Sequence, residues 1–188
     1  MKIGVYVGSF NPVHTGHIKI VRQALENYLD LVIIVPTGCY WSKRNLISLK
    51  HRIAMLKFYQ NEKILIDTTH NQLPYTYMIL RELKKKYPRD FLYLMLGADN
   101  LVQFQKWKNY QELLNYPFLI VNRNCVDVNY YIKKLSIPKY VIMNVTNIDF
   151  SSTIIRKKLV QQENVDHYLD KEVLQYINKY HLFSNKKI

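Results

Sequence analysis

Apolar positions along this chain switch repeatedly between a strand period and a helix period. Residues 2–7 form an apolar alternating run and read as a buried strand. Residues 17–29 carry Ile18, Val21, Leu25 and Leu29 on one helical face. A second apolar run at 31–35 is stopped by Pro36. A polar loop follows at 37–47 and contains Gly38, Trp41, Lys43 and Arg44. Ser48 is a good N-cap for a helix bearing Leu49, Ile53, Leu56 and Tyr59. Residues 63–66 predict a short strand, 70–74 a loop, and 76–86 a helix with Ile79, Leu80 and Leu83 inward. A fourth strand at 91–96 ends in Gly97-Ala98-Asp99. Short helical stretches are expected around 101–104 and 110–114. Then come a strand at 118–121, a helix at 128–135 and a strand at 140–144. Ser151-Ser152-Thr153 opens a helix to about residue 161, and a last helix covers 171–180.

Strands alternating with helices from end to end predict an α/β fold. It is a Rossmann-like, doubly wound parallel sheet with right-handed crossovers, in a single domain over residues 1–188 with a helical C-terminal end. In such a sheet the ligand crevice lies beyond the strand C-termini, at the topological switch. The chemically distinctive residues fall there: Gly8 to His17, Trp41 to Lys43, Thr76-Tyr77, Gly97 to Asp99, and Ser151 to Arg156.

Composition narrows the classes. With 188 residues, 48% hydrophobic and 22% charged, the chain has enough material for one core. No apolar run approaches the ~20 residues of a membrane helix, and the start of the chain lacks a signal-peptide plan. The expectation is a cytoplasmic protein without a membrane partner. Cys39 and Cys125 stand far apart with no CxxC, so they read as ordinary thiols. The net charge of +13 favours anionic ligands. The lysines are scattered, however, and the densest run, Lys84-Lys85-Lys86, reads as the end of a solvated helix. A nucleic-acid-binding module wants clustered basic residues with interleaved aromatics, and none is expected as a partner.

The stretch Val7-Gly8-Ser9-Phe10-Asn11-Pro12-Val13-His14-Thr15-Gly16-His17 sits where the first strand turns into a helix. Unpaired N–H groups and the helix dipole make such a turn an anion site. Two imidazoles three residues apart face one spot and can donate to phosphate oxygens, stabilising charge that builds during displacement. Zinc needs three or four ligands, and none stands at a helpful local spacing, so no metal ligands are expected in the protein. Neither a GxxxxGK[ST] loop nor a GxGxxG turn is present. Ser151-Ser152-Thr153-Ile154-Ile155-Arg156 is a second helix start, with hydroxyl donors and an arginine one turn in. Lys43 and Trp41 lie in the second loop. Trp107 reads either as core packing or as a stacking platform for a flat heterocycle. His51, His70, His167 and His181 read as surface or satisfied residues.

Together these residues resemble the HxGH nucleotidyltransferase superfamily. More narrowly, the chain is similar to the bacterial nicotinate mononucleotide adenylyltransferases over nearly its whole length. The likeness rests on Gly8 to His17; on Lys43 ahead of Arg52, Met55 and Leu56; and on Tyr75-Thr76 and the Tyr87-Pro88 helix end. It continues in Gly97-Ala98-Asp99-Asn100-Leu101, Trp107, Val121-Asn122-Arg123, Ser151 to Arg156 and Tyr176-Ile177. Three departures stand out. Val7 replaces a glycine, Asn11 replaces an aspartate, and Tyr40-Trp41-Ser42-Lys43 replaces Pro-Pro-His-Lys.

The resemblance implies adenylyl transfer: the 5′-phosphate of nicotinate mononucleotide attacks the α-phosphorus of ATP, giving deamido-NAD and pyrophosphate, with Mg2+ carried by ATP. It implies catalytic roles for His14, His17, Lys43 and Arg156. ATP would be bound by Gly8, Ser9, Phe10, His14, His17, Gly97, Asp99, Ser151, Ser152, Thr153 and Arg156. The mononucleotide would be bound by Asn11, Lys43, Thr76, Tyr77, Trp107 and Arg123. Another adenylyltransferase of the superfamily, acting on nicotinamide mononucleotide or phosphopantetheine, is the alternative. A homo-oligomer is compatible with all of this.

Overall fold

Five parallel pairings arrange six strands in the order β3-β2-β1-β4-β5-β6, in a computed structural model that describes residues 1–38, 46–123, 126–146 and 148–184. The strands are β1 (Lys2–Gly8), β2 (Leu31–Pro36), β3 (Ile64–Ile66), β4 (Phe91–Gly97), β5 (Phe118–Asn122) and β6 (Tyr140–Asn144). α1 (Thr15–Asn27) carries the chain from β1 to β2, and α2 (Leu49–Lys57) from β2 to β3. α3 (Thr76–Lys86) then crosses back to the other side of β1. Beyond β4 lie α4 (Ala98–Leu101), a 3-10 turn (Phe104–Lys106) and α5 (Tyr110–Leu113). α6 (Val128–Leu135) joins β5 to β6, and α7 (Ser152–Val160) and α8 (Lys171–Lys179) end the chain. The order of winding reverses between β1 and β4, which opens the expected crevice there.

Both faces of the sheet are covered, and that is why the strands are almost continuously apolar. On β2, Val32 and Ile34 join a core with Ile18, Val21 and Ala24 of α1, Met55 and Leu56 of α2, Ile155 of α7 and Val173 and Ile177 of α8. Leu31, Ile33 and Val35 face the other way. They pack with Ile79, Leu80 and Leu83 of α3, Leu101 of α4 and Ile132 and Leu135 of α6. The period-2 alternation therefore splits one strand between two cores.

Two boundaries differ from the sequence expectation in ways that matter for the site. α1 begins at Thr15 rather than at residue 17, because the His14 side chain caps it. The helix after β4 begins at Ala98 rather than near 101, with the extended Gly97 as its N-cap. Among the described residues no helix is long and apolar enough to cross a membrane.

Candidate active site

At the end of β1 the chain passes through Phe10 in a left-handed conformation (φ 47°) and a cis Asn11-Pro12 bond. His14 is extended and caps α1. The His17 N–H donates to His14 Nδ1 at 3.3 Å, and the His14 N–H donates to His17 Nδ1 at 3.3 Å. The two rings stack, with centroids 3.6 Å apart and planes 24° from parallel. This reciprocal cap uses the acceptor nitrogen of each ring. A neutral imidazole that accepts at Nδ1 carries its proton on Nε2, so each histidine presents Nε2–H as a donor.

Burial, with the charge of Arg123 adding to it, lowers the His14 pKa to about 3. Burial, then His14, then Arg123 hold His17 well below the ordinary histidine value. Both rings are neutral at pH 7. Aromatic edges hold them in place: Phe10 and Tyr6 against His17, and Phe150 against His14. Tyr6 lies on β1 beneath the site. Burial raises its phenol to about 12, with Arg123 opposing and Asp99 adding. Gly16 is required by proximity. A Cβ there would lie 3.1 Å from His14 Nδ1 and 2.9 Å from Ile148 Cγ2.

The start of α7 is joined directly to this turn. Arg156 Nη1 donates to the Asn11 carbonyl at 2.8 Å, and Nη2 donates to Thr153 Oγ1 at 3.1 Å. The Ser152 hydroxyl donates to the Pro12 carbonyl at 3.0 Å. Ser151 Oγ accepts from the Ile154 N–H at 3.4 Å as the N-cap. The sequence suggested hydroxyl donors aimed at a ligand. In the structure the Ser152 hydroxyl bond ties the α7 start to the turn before α1, whereas Ser151 Oγ accepts from its own helix and keeps its O–H as a donor. Arg156 spans the α7 start and the turn.

Asn11 is buried, and its side-chain oxygen accepts from the Ile47 N–H at 3.3 Å. Arg52 is fully buried. Its Nη1 donates to the carbonyls of Ser9 and Thr37, both at 2.7 Å, and its Nε donates to Ile47 at 3.2 Å. It thereby ties the turn after β1 to the residues flanking the loop after β2. Lys43, with Trp41 and Ser42, lies outside the described residues, as do both cysteines.

Across the switch, Gly97 and Asp99 stand at the end of β4, and Arg123 follows β5. Arg123 Nη2 lies 3.4 Å from Asp99 Oδ1. Thr76 and Tyr77 open α3, where the Tyr77 ring stacks on Tyr75 with Arg81 over it at 5.1 Å. Trp107 is half-buried, tilted against Phe104 at 5.4 Å between centroids. One face of Trp107 therefore belongs to the core, and part of the ring remains accessible. His70 and His51 are satisfied, by Asp67 at 2.6 Å and by the Tyr176 hydroxyl at 3.0 Å.

Four contributors to the site escaped sequence reasoning: Tyr6, Phe150, Ile148 and the Tyr168 carbonyl, which accepts from the Thr15 N–H at 3.0 Å. Of these only Tyr6 left a trace, as a polar tip in an otherwise apolar strand. The structural role of Arg52 was visible as a charge on the same helical face as Met55 and Leu56.

Comparison with known proteins fits this geometry. A protein of Fusobacterium nucleatum named "Probable nicotinate-nucleotide adenylyltransferase" is 34% identical over 95% of this chain and 98% of its own. One of the same name from Borrelia hermsii is 33% identical over the whole of both chains. Among solved structures, the Plasmodium falciparum nicotinic acid mononucleotide adenylyltransferase complexed with NaAD shares the fold. Its TM-score is 0.83 at 24% identity, covering 97% of each chain. The cytidylyltransferase-like family model matches residues 5–158. With its histidine pair and arginine-bearing helix start at the switch of a parallel sheet, this chain belongs to the cytidylyltransferase-like family, among the nicotinate-nucleotide adenylyltransferases.

Proposed function

We propose that the protein transfers the adenylyl group of ATP to nicotinate mononucleotide, in the cytoplasm, as a step of NAD biosynthesis. A mononucleotide phosphate oxygen forms a bond to the α-phosphorus of ATP, and the bond to the β-phosphate oxygen breaks. The products are deamido-NAD and pyrophosphate. The observation that carries this reading is the stacked, reciprocally capped His14–His17 pair. Two neutral Nε2–H donors side by side suit adjacent phosphates. They suit a metal ion badly, since a protonated nitrogen has no lone pair to give.

The chemistry needs little else from the protein. The nucleophile is already an anion, so no general base is required. The barrier is charge repulsion and alignment, which positioning and preorganised donors lower. His14 and His17 hold the inner phosphates, and Arg156 with the backbone at the α7 start takes the outer ones. The pyridine ring lies by Thr76, Tyr77 and Trp107, and Asp99 accepts from a ribose hydroxyl. Lys43 and Arg123 supply further positive charge. Mg2+ enters as the complex with ATP. The donors around the histidine pair are N–H and guanidinium groups, which fit phosphate oxygens and leave the cation to the triphosphate.

The test is pyrophosphate release from ATP with nicotinate mononucleotide, nicotinamide mononucleotide or phosphopantetheine as acceptor. Release with the first, and much less with the others, is the expected result. Release with phosphopantetheine alone overturns the reading.

A further inference from the structure

At the far end of the sheet from the histidine turn, a cleft of about 830 Å³ opens below β4, β5 and β6. Its size falls within the ~300–1,000 Å³ of small-molecule sites. Phe91 at the start of β4 lines it, and Gly97 at the other end of β4 borders the catalytic crevice, so roughly 20 Å separates the two.

The cleft exists because β5 starts late. β4 begins at Phe91, but its first pairing with β5 is Leu94 with Phe118. The Phe91 N–H donates to the Met1 carbonyl and the Leu94 N–H to the Pro117 carbonyl, both at 2.9 Å. Odd residues of β4 therefore face β1 and even ones face β5. Leu92 turns its N–H and C=O toward the space before β5, where Pro117 has no N–H to extend the ladder. The chain has already left the sheet at Tyr116, whose N–H donates to the Leu113 carbonyl at 3.1 Å. Among the described residues no hydrogen bond is formed to these two Leu92 groups, although Leu92 is buried.

Aromatic rings flank this notch on both faces of the sheet. Phe91 and Tyr93 lie on the face toward α1, and Tyr140 lies with Phe118 on the face toward α3. Phe91 is 66% exposed and Tyr140 46% exposed. Charge adds a preference. The two carboxylates of the cleft are spent, Asp90 on the N-terminal amino group and Glu112 on Arg81. Lys84 donates to the Asp90 carbonyl, a neutral acceptor, at 2.9 Å. Lys139 forms no ion pair among the described residues, so the rim keeps two uncompensated positive charges.

We propose that this cleft binds a free nucleoside monophosphate, apart from the catalytic crevice. The base lies in the plane of the sheet, where β5 would have continued. A donor and an acceptor side by side on its edge pair with the Leu92 C=O and N–H. Its two faces meet the flanking rings, and its phosphate takes Lys139 and Lys84 at the open rim. The site stands whether or not the crevice carries out adenylyl transfer.

GMP is the probe, since guanine offers N1–H beside O6. Methyl NMR reads where it binds: Leu92 and Val141 report the cleft, and Val13 reports the histidine turn. Saturable shifts at Leu92 and Val141 are expected, with guanosine and ribose 5-phosphate each binding about tenfold more weakly. Tyr140→Leu weakens GMP about tenfold by removing a stacking face. Lys139→Gln weakens GMP several-fold and leaves guanosine unchanged. Pro117→Ala supplies the missing ladder N–H, so it weakens GMP and not ribose 5-phosphate. The spectra of the free variants show that each is folded. Shifts confined to Val13, or ribose 5-phosphate binding as well as GMP, overturn the site. So does unchanged GMP affinity in Tyr140→Leu, Lys139→Gln and Pro117→Ala. A guanosine trinucleotide binding more than tenfold tighter than GMP makes a nucleic-acid strand the ligand and overturns the mononucleotide.

Discussion

His14 and His17 each accept the other's backbone N–H at Nδ1, and their rings stack 3.6 Å apart. One interaction thus does two jobs: it starts α1, and it assigns the tautomer of both rings. The same nitrogens that cap the helix cannot carry protons without breaking the cap. This agrees with the depressed pKa that burial imposes on both.

The ring signals of His14 and His17 are expected to stay neutral and Nε2-protonated from pH 8 down to pH 5, as read by nitrogen-15 NMR. The consequence for stability follows from proton counts. Above about pH 6.5 neither folded nor unfolded chain protonates these histidines. Below it the unfolded chain takes up protons that the native chain refuses, so stability falls as pH drops from about 6.5 toward 3. The slope is about 1.4 kcal/mol per pH unit for a histidine such as His14. Thermal unfolding of wild type and His14→Asn across this range should show a shallower acid loss in the variant.

His17→Ala should lower turnover about 10²- to 10³-fold, the scale of one lost transition-state donor. Its fold should remain intact by circular dichroism. A change within a few-fold, in a folded variant, would show that the ring only packs.

Gly16→Ala places a methyl 3.1 Å from His14 Nδ1 and 2.9 Å from Ile148 Cγ2. Alanine is otherwise the better helix former. The expected outcome is a displaced His14 ring and a turnover loss on the order of 10²-fold, since small misplacements are costly in aligned reactions. The melting temperature should not rise. A more stable and fully active variant would refute the steric argument.

Arg156→Lys keeps the charge but loses the fork that reaches Asn11 and Thr153 together. Catalytic efficiency for ATP should drop by on the order of 10²-fold. Ser152→Ala, which removes only the bond to Pro12, should cost about 1 kcal/mol of stability and little activity.

Trp107→Ala should mainly raise the KM for the mononucleotide, by up to about tenfold for one stacking contact. Trp107→Phe retains the packing on Phe104 and should fall between the two. An altered KM for ATP instead would move the stacking role to the adenine.

Much of this molecule is written in local pattern. Uninterrupted apolar runs such as residues 31–35 announced strands buried on both faces, and their alternation with amphipathic helices announced the parallel sheet. Ser151 as a cap, the Lys84-Lys85-Lys86 helix end and the histidine pair at a strand-to-helix turn were all legible, because each depends on neighbours within a helical turn or two. Tertiary structure decided what depends on distant segments. It joined Arg156 and Ser152 to the carbonyls of Asn11 and Pro12, some 140 residues earlier in the chain. It buried Arg52 under three loop carbonyls, set Phe150 against His14 and Ile148 against Gly16, and paired Asp99 with Arg123. A sequence states which groups are present and how they recur along the chain. Which nitrogen of His14 carries the proton, and which hydroxyl is spent inside the fold, follows only from packing in space.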